Sequence, residues 1–294
     1  MFSQTCLGTV LLLNVVAAPA PLQPGLRWRL KEGDVVYHQS ESSVQQSMTI
    51  MGMKVDQKQE RSTLTRYVVK RKNADGSLIL EQTIVSLKGK GGVAEAGIGD
   101  KIQGSSFLVT LNARGEVVKL DGYKQFLARV GTDEATRALV ATSYSEDTFK
   151  YEVNEVFACL AGKSVNVGDT WRRRYLLAMG PLGSFTGERT YQYAGKTTSG
   201  KHLDRIDWTS RVRYSPPQRG QAAAAVPFRI DKATFTADEV KGTIYFDAAT
   251  GRLVEMSSTA RLKGKMKIVI GEQLTEIEMD STGQEKARLL DKAP

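Results

Sequence analysis

Cysteine and histidine are almost missing from this chain: there are two of each among 294 residues. Cys6 and Cys159 cannot staple a disulfide scaffold, and His38 and His202 add too few ligands for a structural zinc or iron–sulfur site. No metal and no cofactor are therefore expected. Charge is missing altogether from residues 1–20, and the apolar run there, 10–18, falls well short of the ~20 residues that span a bilayer. Also missing is a Gly-x-Ser-x-Gly elbow; the nearest stretch, 182–186, lacks both flanking glycines. Gly162-Lys163-Ser164 and Gly195-Lys196-Thr197 have Phe157 and Thr190 where a phosphate loop needs a glycine five positions earlier. Gly89-Lys90-Gly91-Gly92-Val93-Ala94 has the spacing of a dinucleotide fingerprint, yet no amphipathic helix follows it.

What is present is enough to build a core. Hydrophobic residues make up 41% of the chain, with nine Phe, ten Tyr and three Trp, which excludes disorder. The length fits two domains or one large β domain. Residues 1–20 have the outline of a secretory signal peptide, although the segment begins without Lys or Arg. Cutting at Ala18-Pro19-Ala20 would leave Pro21 first, whereas cutting after Ala17 avoids that. Removing the segment leaves Cys159 as a lone thiol, near the edge of a helix's apolar stripe, where a buried and inert sulfur is expected.

The net charge of +9 is uneven. Residues 21–155 hold 19 basic and 17 acidic side chains, and residues 156–294 hold 22 and 15. Arg172-Arg173-Arg174 and the alternating Arg261, Lys263, Lys265 and Lys267 are the densest pieces. On a strand the latter four share one face, so they read as the solvated side of a hairpin, or else as a contact for an anionic envelope surface. No aromatic residues are interleaved with them, and nucleic acid is not an expected partner.

From residue 23 to about 122 the hydrophobic period is two, and strands are expected at 48–55, 63–70, 78–87, 107–111 and 116–120. The turns are explicit in Asn73-Ala74-Asp75-Gly76 and Asn112-Ala113-Arg114-Gly115, and the glycine-rich stretch 89–104 reads as a flexible connection. The period then turns helical over about 123–162. Tyr123, Phe126, Leu127 and Val130 form one apolar stripe, and Phe149, Val153, Val156, Phe157 and Leu160 form another, with Ser145 as N-cap and Gly162 as the stop. Strands resume after Gly168 and run to about 284, the expected pieces including 228–234 and 241–246, then 253–262 and 265–270.

Gly33-Asp34 recurs as Gly168-Asp169, and the Leu111-Asn112 hairpin recurs at Phe246-Asp247, both 135 residues on. Two landmarks at one offset suggest an internal duplication, with copy one at about 25–122, a helical insert at about 123–162 and copy two at about 163–285. The expected fold is mainly β: one domain over 21–294, a large curved antiparallel sheet or half-barrel, capped by two or three helices.

The Gly-Asp opening strand, the polar strand Gln45-Gln46-Ser47-Met48-Thr49-Ile50-Met51-Gly52, the Asn-Ala-x-Gly hairpin, the helical pair and the restart Val167-Gly168-Asp169-Thr170-Trp171 resemble a bacterial secreted family known only as a domain of unknown function. Its architecture is similar to the unclosed β half-barrels of periplasmic lipoprotein carriers. The resemblance covers most of residues 25–285 and implies a fold rather than any functional residue.

Catalysis finds little support in these residues. His38 and His202 read as plain surface or turn positions, and Asp204 with Asp207, or Glu276 with Glu278, as solvated strand residues, which leaves only a carboxylate pair as a hydrolase alternative. The apolar faces are more informative. Ile206, Trp208, Val212 and Tyr214 share one face of a strand, and Val254, Met256, Met266 and Ile268 are expected on one face of the next hairpin. These eight would be either ordinary core or the lining of a cavity for a lipid-like ligand, with Met48, Met51 and Met53 as adaptable neighbours. The expected protein is an extracytoplasmic, non-enzymatic module holding an apolar or amphiphilic ligand. The alternative is an envelope scaffold that uses its basic second half.

Overall fold

A computed structural model describes residues 25–91, 98–131, 133–179, 182–198, 201–217 and 229–294. The signal-peptide segment and the run of alanines at 222–225 lie outside them.

Eleven strands form one antiparallel sheet: β1 (Val35–Ile50), β2 (Met53–Lys72), β3 (Leu78–Lys90), β4 (Ser106–Leu111), β5 (Val117–Asp121), β6 (Thr170–Ala178), β7 (Ser184–Lys196), β8 (Asp204–Ser215), β9 (Arg229–Asp247), β10 (Arg252–Ile270) and β11 (Gln273–Leu290). The order across the sheet is β5-β4-β3-β2-β1-β11-β10-β9-β8-β7-β6. The first and last strands therefore pair in the middle, and the unpaired edges belong to β5 and β6, which follow one another in the chain. The half-barrel expectation holds: the sheet is mainly β architecture left unclosed.

Four helices lie in the described chain. α1 (Ile98–Ile102) sits inside the glycine-rich stretch, and α2 (Tyr123–Val130), α3 (Glu134–Ser143) and α4 (Glu146–Phe157) connect the two sheet edges. Ser145 caps α4 as expected, its hydroxyl accepting from the Thr148 N–H at 3.1 Å. The helix ends at Phe157 rather than running on to Gly162, because side chains from elsewhere take its last carbonyls. The indole N–H of Trp28 donates to the Phe157 carbonyl at 2.8 Å and that of Trp171 to Cys159 at 3.0 Å. Arg173 donates to Ala158 at 3.2 Å and to Leu160 at 3.1 Å, a cation at a helix C-terminus.

α4 also closes the gap in the sheet. Asn154 on α4 accepts the edge N–H of Val117 on β5 at 2.8 Å, while Arg173 of β6 lies 3.8 Å from Glu116 beside β5. An edge strand left open would template foreign pairing, and here side chains of the connection and of the opposite edge occupy it.

Three sequence expectations need correction. The stretch 48–55 is not one strand but two strand ends around a tight turn, with Met51 at φ 51° and Gly52 at φ 79°, the left-handed pair that a two-residue hairpin requires. The strand expected at 228–234 and that at 241–246 are both parts of β9, which passes through Glu239 at φ 53°. The hairpin expected within 253–270 is the single strand β10: Lys263 and Gly264 stay in register with Asp280 and Met279 of β11. Glycine in a long strand looked like a turn, whereas here it makes room for the Phe235 ring opposite.

The core is in two parts under one face of the sheet. One gathers Tyr67, Leu80, Phe107, Phe149 and Phe157 below β1–β5, and the other gathers Trp171, Tyr193, Ile206, Ile244 and Phe246 below β6–β11. Trp28 and Leu289 touch both, and the Trp28 ring lies 5.2 Å from Phe157 and 5.7 Å from Phe246. Cys159 is fully buried in the second cluster, and burial pushes its thiol up to about 12, so it is inert at neutral pH.

Candidate functional site

The eight apolar candidates do not converge. Ile206, Trp208 and Met256 are buried in the second core cluster, Ile268 is buried on the outer part of β10, and Val212, Tyr214 and Met266 are half-buried. Val254 is a correction. It is exposed, because β10 bulges between Leu253 and Glu255 and turns the extra residue outward. Tyr214 packs on Phe235 and Phe185 at 4.6 Å and 5.3 Å. Met51 and Met53 stand exposed at the hairpin tip.

Of three concavities among the described residues, one of about 430 Å³ is a polar hollow between Thr49, Thr236, Lys265 and Asp280 on the far ends of the strands, and two lie over the middle of the sheet. The larger is an open trough of about 1160 Å³ on the sheet face opposite the core, crossing β1–β3 and β6–β11. Two neighbouring rungs of the ladder line it, one passing through Gln192, Asp207, Thr243, Ser257, Lys286 and Glu41. Its groups satisfy one another: Asp207 accepts from Arg205 at 3.0 Å and from Thr243 at 2.8 Å. Strand alternation makes such a hydroxyl-rich belt the ordinary hydrated side of a sheet.

The second is an inner cavity of about 270 Å³ between the buried sheet face and α4. One wall is apolar, with Ile84, Leu87, Ile102, Phe149, Leu177 and Met256. Of the eight candidates, Met256 alone reaches it. The other wall is polar and carries half-buried charge. Arg61 on β2 pairs with Glu152 on α4 at 3.0 Å. Glu155, one helical turn further, pairs at 2.7 Å with Arg189, which is buried between Trp208 and Tyr175 with its guanidinium carbon 4.0 Å and 5.3 Å from their rings. Glu285 on β11 accepts from the Ser40 hydroxyl at 2.6 Å.

These surroundings shift the acid–base groups. Burial pushes the Glu285 carboxyl above the usual carboxylate range, and the like charges of Glu155 and Glu152 push the same way against the pull of Ser40 and Arg61. Burial lowers His38 to about 4, so its imidazole is neutral at pH 7, and its Nε2 has no hydrogen-bond partner among the described residues. Burial also holds the Tyr151 phenol well above its ordinary value. Perturbed titrating groups clustered around a cavity are a mark of functional sites.

His38 is thus a correction to the surface assignment: on β1 it alternates inward with Val36 and Ser40. Asp204 is another, buried beneath Tyr193, whose hydroxyl donates to it at 2.7 Å. The cavity groups missed in the sequence were Arg61, Glu152, Glu285 and Tyr151. A signal for one existed, since Glu152 follows Phe149 by three residues and therefore shares the buried stripe of α4.

The basic stretches are also resolved. Arg172 and Arg174 flank Glu188 at 3.3 Å and 3.5 Å, while Arg173 caps α4. Arg261, Lys265 and Lys267 meet Asp280, Glu278 and Glu276 along β11 at 2.7, 2.5 and 2.5 Å. No described helix is long and apolar enough to cross a membrane, and among the described residues no group of three or more His, Cys, Asp or Glu is placed to hold a metal ion.

Fold and cavity together define an unclosed β half-barrel whose open edges are closed off by a helix, with a small amphiphilic chamber beneath it. Residues 70–200, from the end of β2 through β7, match the model of a family of unknown function (DUF6263). No curated protein matches the chain. Among solved structures it is loosely similar to an outer membrane channel of Pseudomonas putida F1, at 9% identity and a TM-score of 0.24, covering 93% of this chain and 100% of that one. It is similarly distant from DynF of the dynemicin biosynthesis pathway of Micromonospora chersina, at 10% identity and a TM-score of 0.18, covering 94% and 92%. A third is OccK11 (OpdR) of Pseudomonas aeruginosa, at 8% identity and a TM-score of 0.20, covering 89% and 98%.

Proposed function

We propose that this chain is an extracytoplasmic, non-catalytic binding protein that holds a small amphiphilic ligand in the inner cavity. The observation carrying this reading is the two-sided lining: aliphatic residues on one wall, charged and hydroxyl groups on the other, around about 270 Å³. Export rests on the charge-free apolar segment at 1–20. Binding is favoured over hydrolysis because Glu152 and Glu155 are each committed to a guanidinium, which removes them as a free acid–base pair. The scaffold alternative draws less support, because cross-strand acids pair with Arg261, Lys265 and Lys267 of the basic strip on β10.

The test is extraction of the purified chain, with mass spectrometry of what is released, beside titration with a fluorescent amphiphile. Met256→Trp, which fills the cavity from its apolar side, should abolish binding while the protein keeps a cooperative melt. An empty extract together with no binding by the unaltered chain overturns the reading.

A further inference from the structure

The polar wall of the cavity does not balance its charge. Three carboxylates line it, Glu152, Glu155 and Glu285, against the one guanidinium of Arg61, and both Arg61 and the adjoining Arg189 are engaged: Arg61 with Glu152 at 3.0 Å and Arg189 with Glu155 at 2.7 Å. Glu285 has a neutral partner, the Ser40 hydroxyl at 2.6 Å, and forms no ion pair among the described residues. A half-buried anion without a direct ion pair is unfavourable, and the cheapest remedy a ligand can bring is a cation. Aromatic groups stand ready for one. Tyr144, Phe149 and Tyr151 line the same chamber, and ring faces attract cations. His38, neutral and with its Nε2 without a hydrogen-bond partner among the described residues, adds a polar ring nitrogen to that wall.

We infer that the polar end of the cavity receives an organic ammonium group, with Glu285 as its counter-ion, and that the ligand is therefore a short-chain amine. This rests on the binding reading above and sharpens it, because a neutral or anionic amphiphile would leave Glu285 without an ion-pair partner. Glu285 is faced by Ser40 from β1, Arg61 from β2, and Tyr151, Glu152 and Glu155 from α4. Arg61 is the one cation in this set and is paired with Glu152, which leaves the place beside Glu285 to the ligand.

The experiment is calorimetric titration of the full chain with three probes of equal tail, hexylamine, hexanol and hexanoate, at pH 7.5. Hexylamine should bind roughly ten-fold or more tighter than hexanol, the scale of one charge-assisted contact. In Glu285→Gln, which keeps the side-chain shape and the Ser40 contact, that preference should vanish while hexanol affinity is unchanged, and an unchanged melting curve confirms that the fold persists. Equal binding of hexylamine and hexanol overturns the ammonium assignment and leaves the amphiphile reading standing. Tightest binding by hexanoate overturns it as well. If none of the three binds while lipid extraction still returns a ligand, the ammonium assignment alone is overturned; if extraction also returns nothing, both are.

Discussion

His38 shows how a strand position changes the chemistry of a side chain. Its sequence neighbours suggest an exposed residue, yet alternation along β1 turns it onto the buried face, where its pKa falls to about 4. The unfolded chain therefore binds a proton between pH 6.5 and 4 that the native state refuses, and stability is lost as pH falls through that window. The loss approaches about 3 kcal/mol once pH is below both values. Urea midpoints at pH 7 and pH 4.5 check this, and the difference should shrink in His38→Gln. Glu285 works in the opposite sense. Its raised pKa favours the protonated native form, so its contribution is lost as pH rises through the native value. Arg189 belongs to the same scale: burial opposes its charge, yet Glu155 holds it ionised, which makes the pair a commitment of the core rather than a free reagent.

Among the elements, the long strands are marked by glycines that face aromatic rings directly across the ladder. Gly187 opposes Tyr175, Gly242 opposes Trp208 and Gly264 opposes Phe235. A Cβ at Gly242 would collide with the Trp208 ring and the Ser257 carbonyl, whereas one at Gly283 meets nothing nearer than Val44 at 3.8 Å. Gly242→Ala should therefore cost about 1–3 kcal/mol from overpacking, and Gly283→Ala should be neutral or slightly stabilising. Chemical denaturation of the two variants separates packing from intrinsic strand propensity. The same glycines explain what could not be read along the chain. Period two marked where the chain is extended and the Ser145 cap marked the start of α4, because both are local signals, while the ends of β1, β2, β9 and β10 escaped them. Gly264 looked like a turn because its ring partner is 29 positions away in sequence, and the left-handed hairpin at Met51-Gly52 lacks the usual Asn or Asp.

At the scale of the molecule, the pairing of β1 with β11 decides the architecture. Ala287 is buried and Leu289 touches both core clusters, so β11 joins the two halves. Ending the chain at Gly271 should expose the facing edges of β1 and β10 and abolish the cooperative melting transition, as followed by circular dichroism. A truncated chain that still melts sharply would show that the halves fold independently. The turns related by the 135-residue offset use the same four hydrogen bonds. Gly33 donates to Val69, Val69 to Asp34, Asp34 to Lys31, and Lys31 to the Asp34 carboxylate; Gly168, Tyr193, Asp169 and Asn166 repeat this set. That correspondence supports the duplication we propose, in which β1–β5 answer to β6–β10 and β11 is additional.

The amino-acid sequence by itself determined the β class, the position of the helical insert, the capped start of α4 and the inertness of the lone core cysteine, because each depends on residues within a few positions of one another. It also carried the resemblance to a family of unknown function. Tertiary structure alone decided that the sheet stays open between β5 and β6, that α4 fills that opening, and that Arg261, Lys265 and Lys267 pair with acids of β11. It alone brought His38, Arg61, Glu152 and Glu285 around one cavity. Those four lie on β1, β2, α4 and β11, and the contacts that gather them are long-range strand pairings, which no local period in the chain encodes.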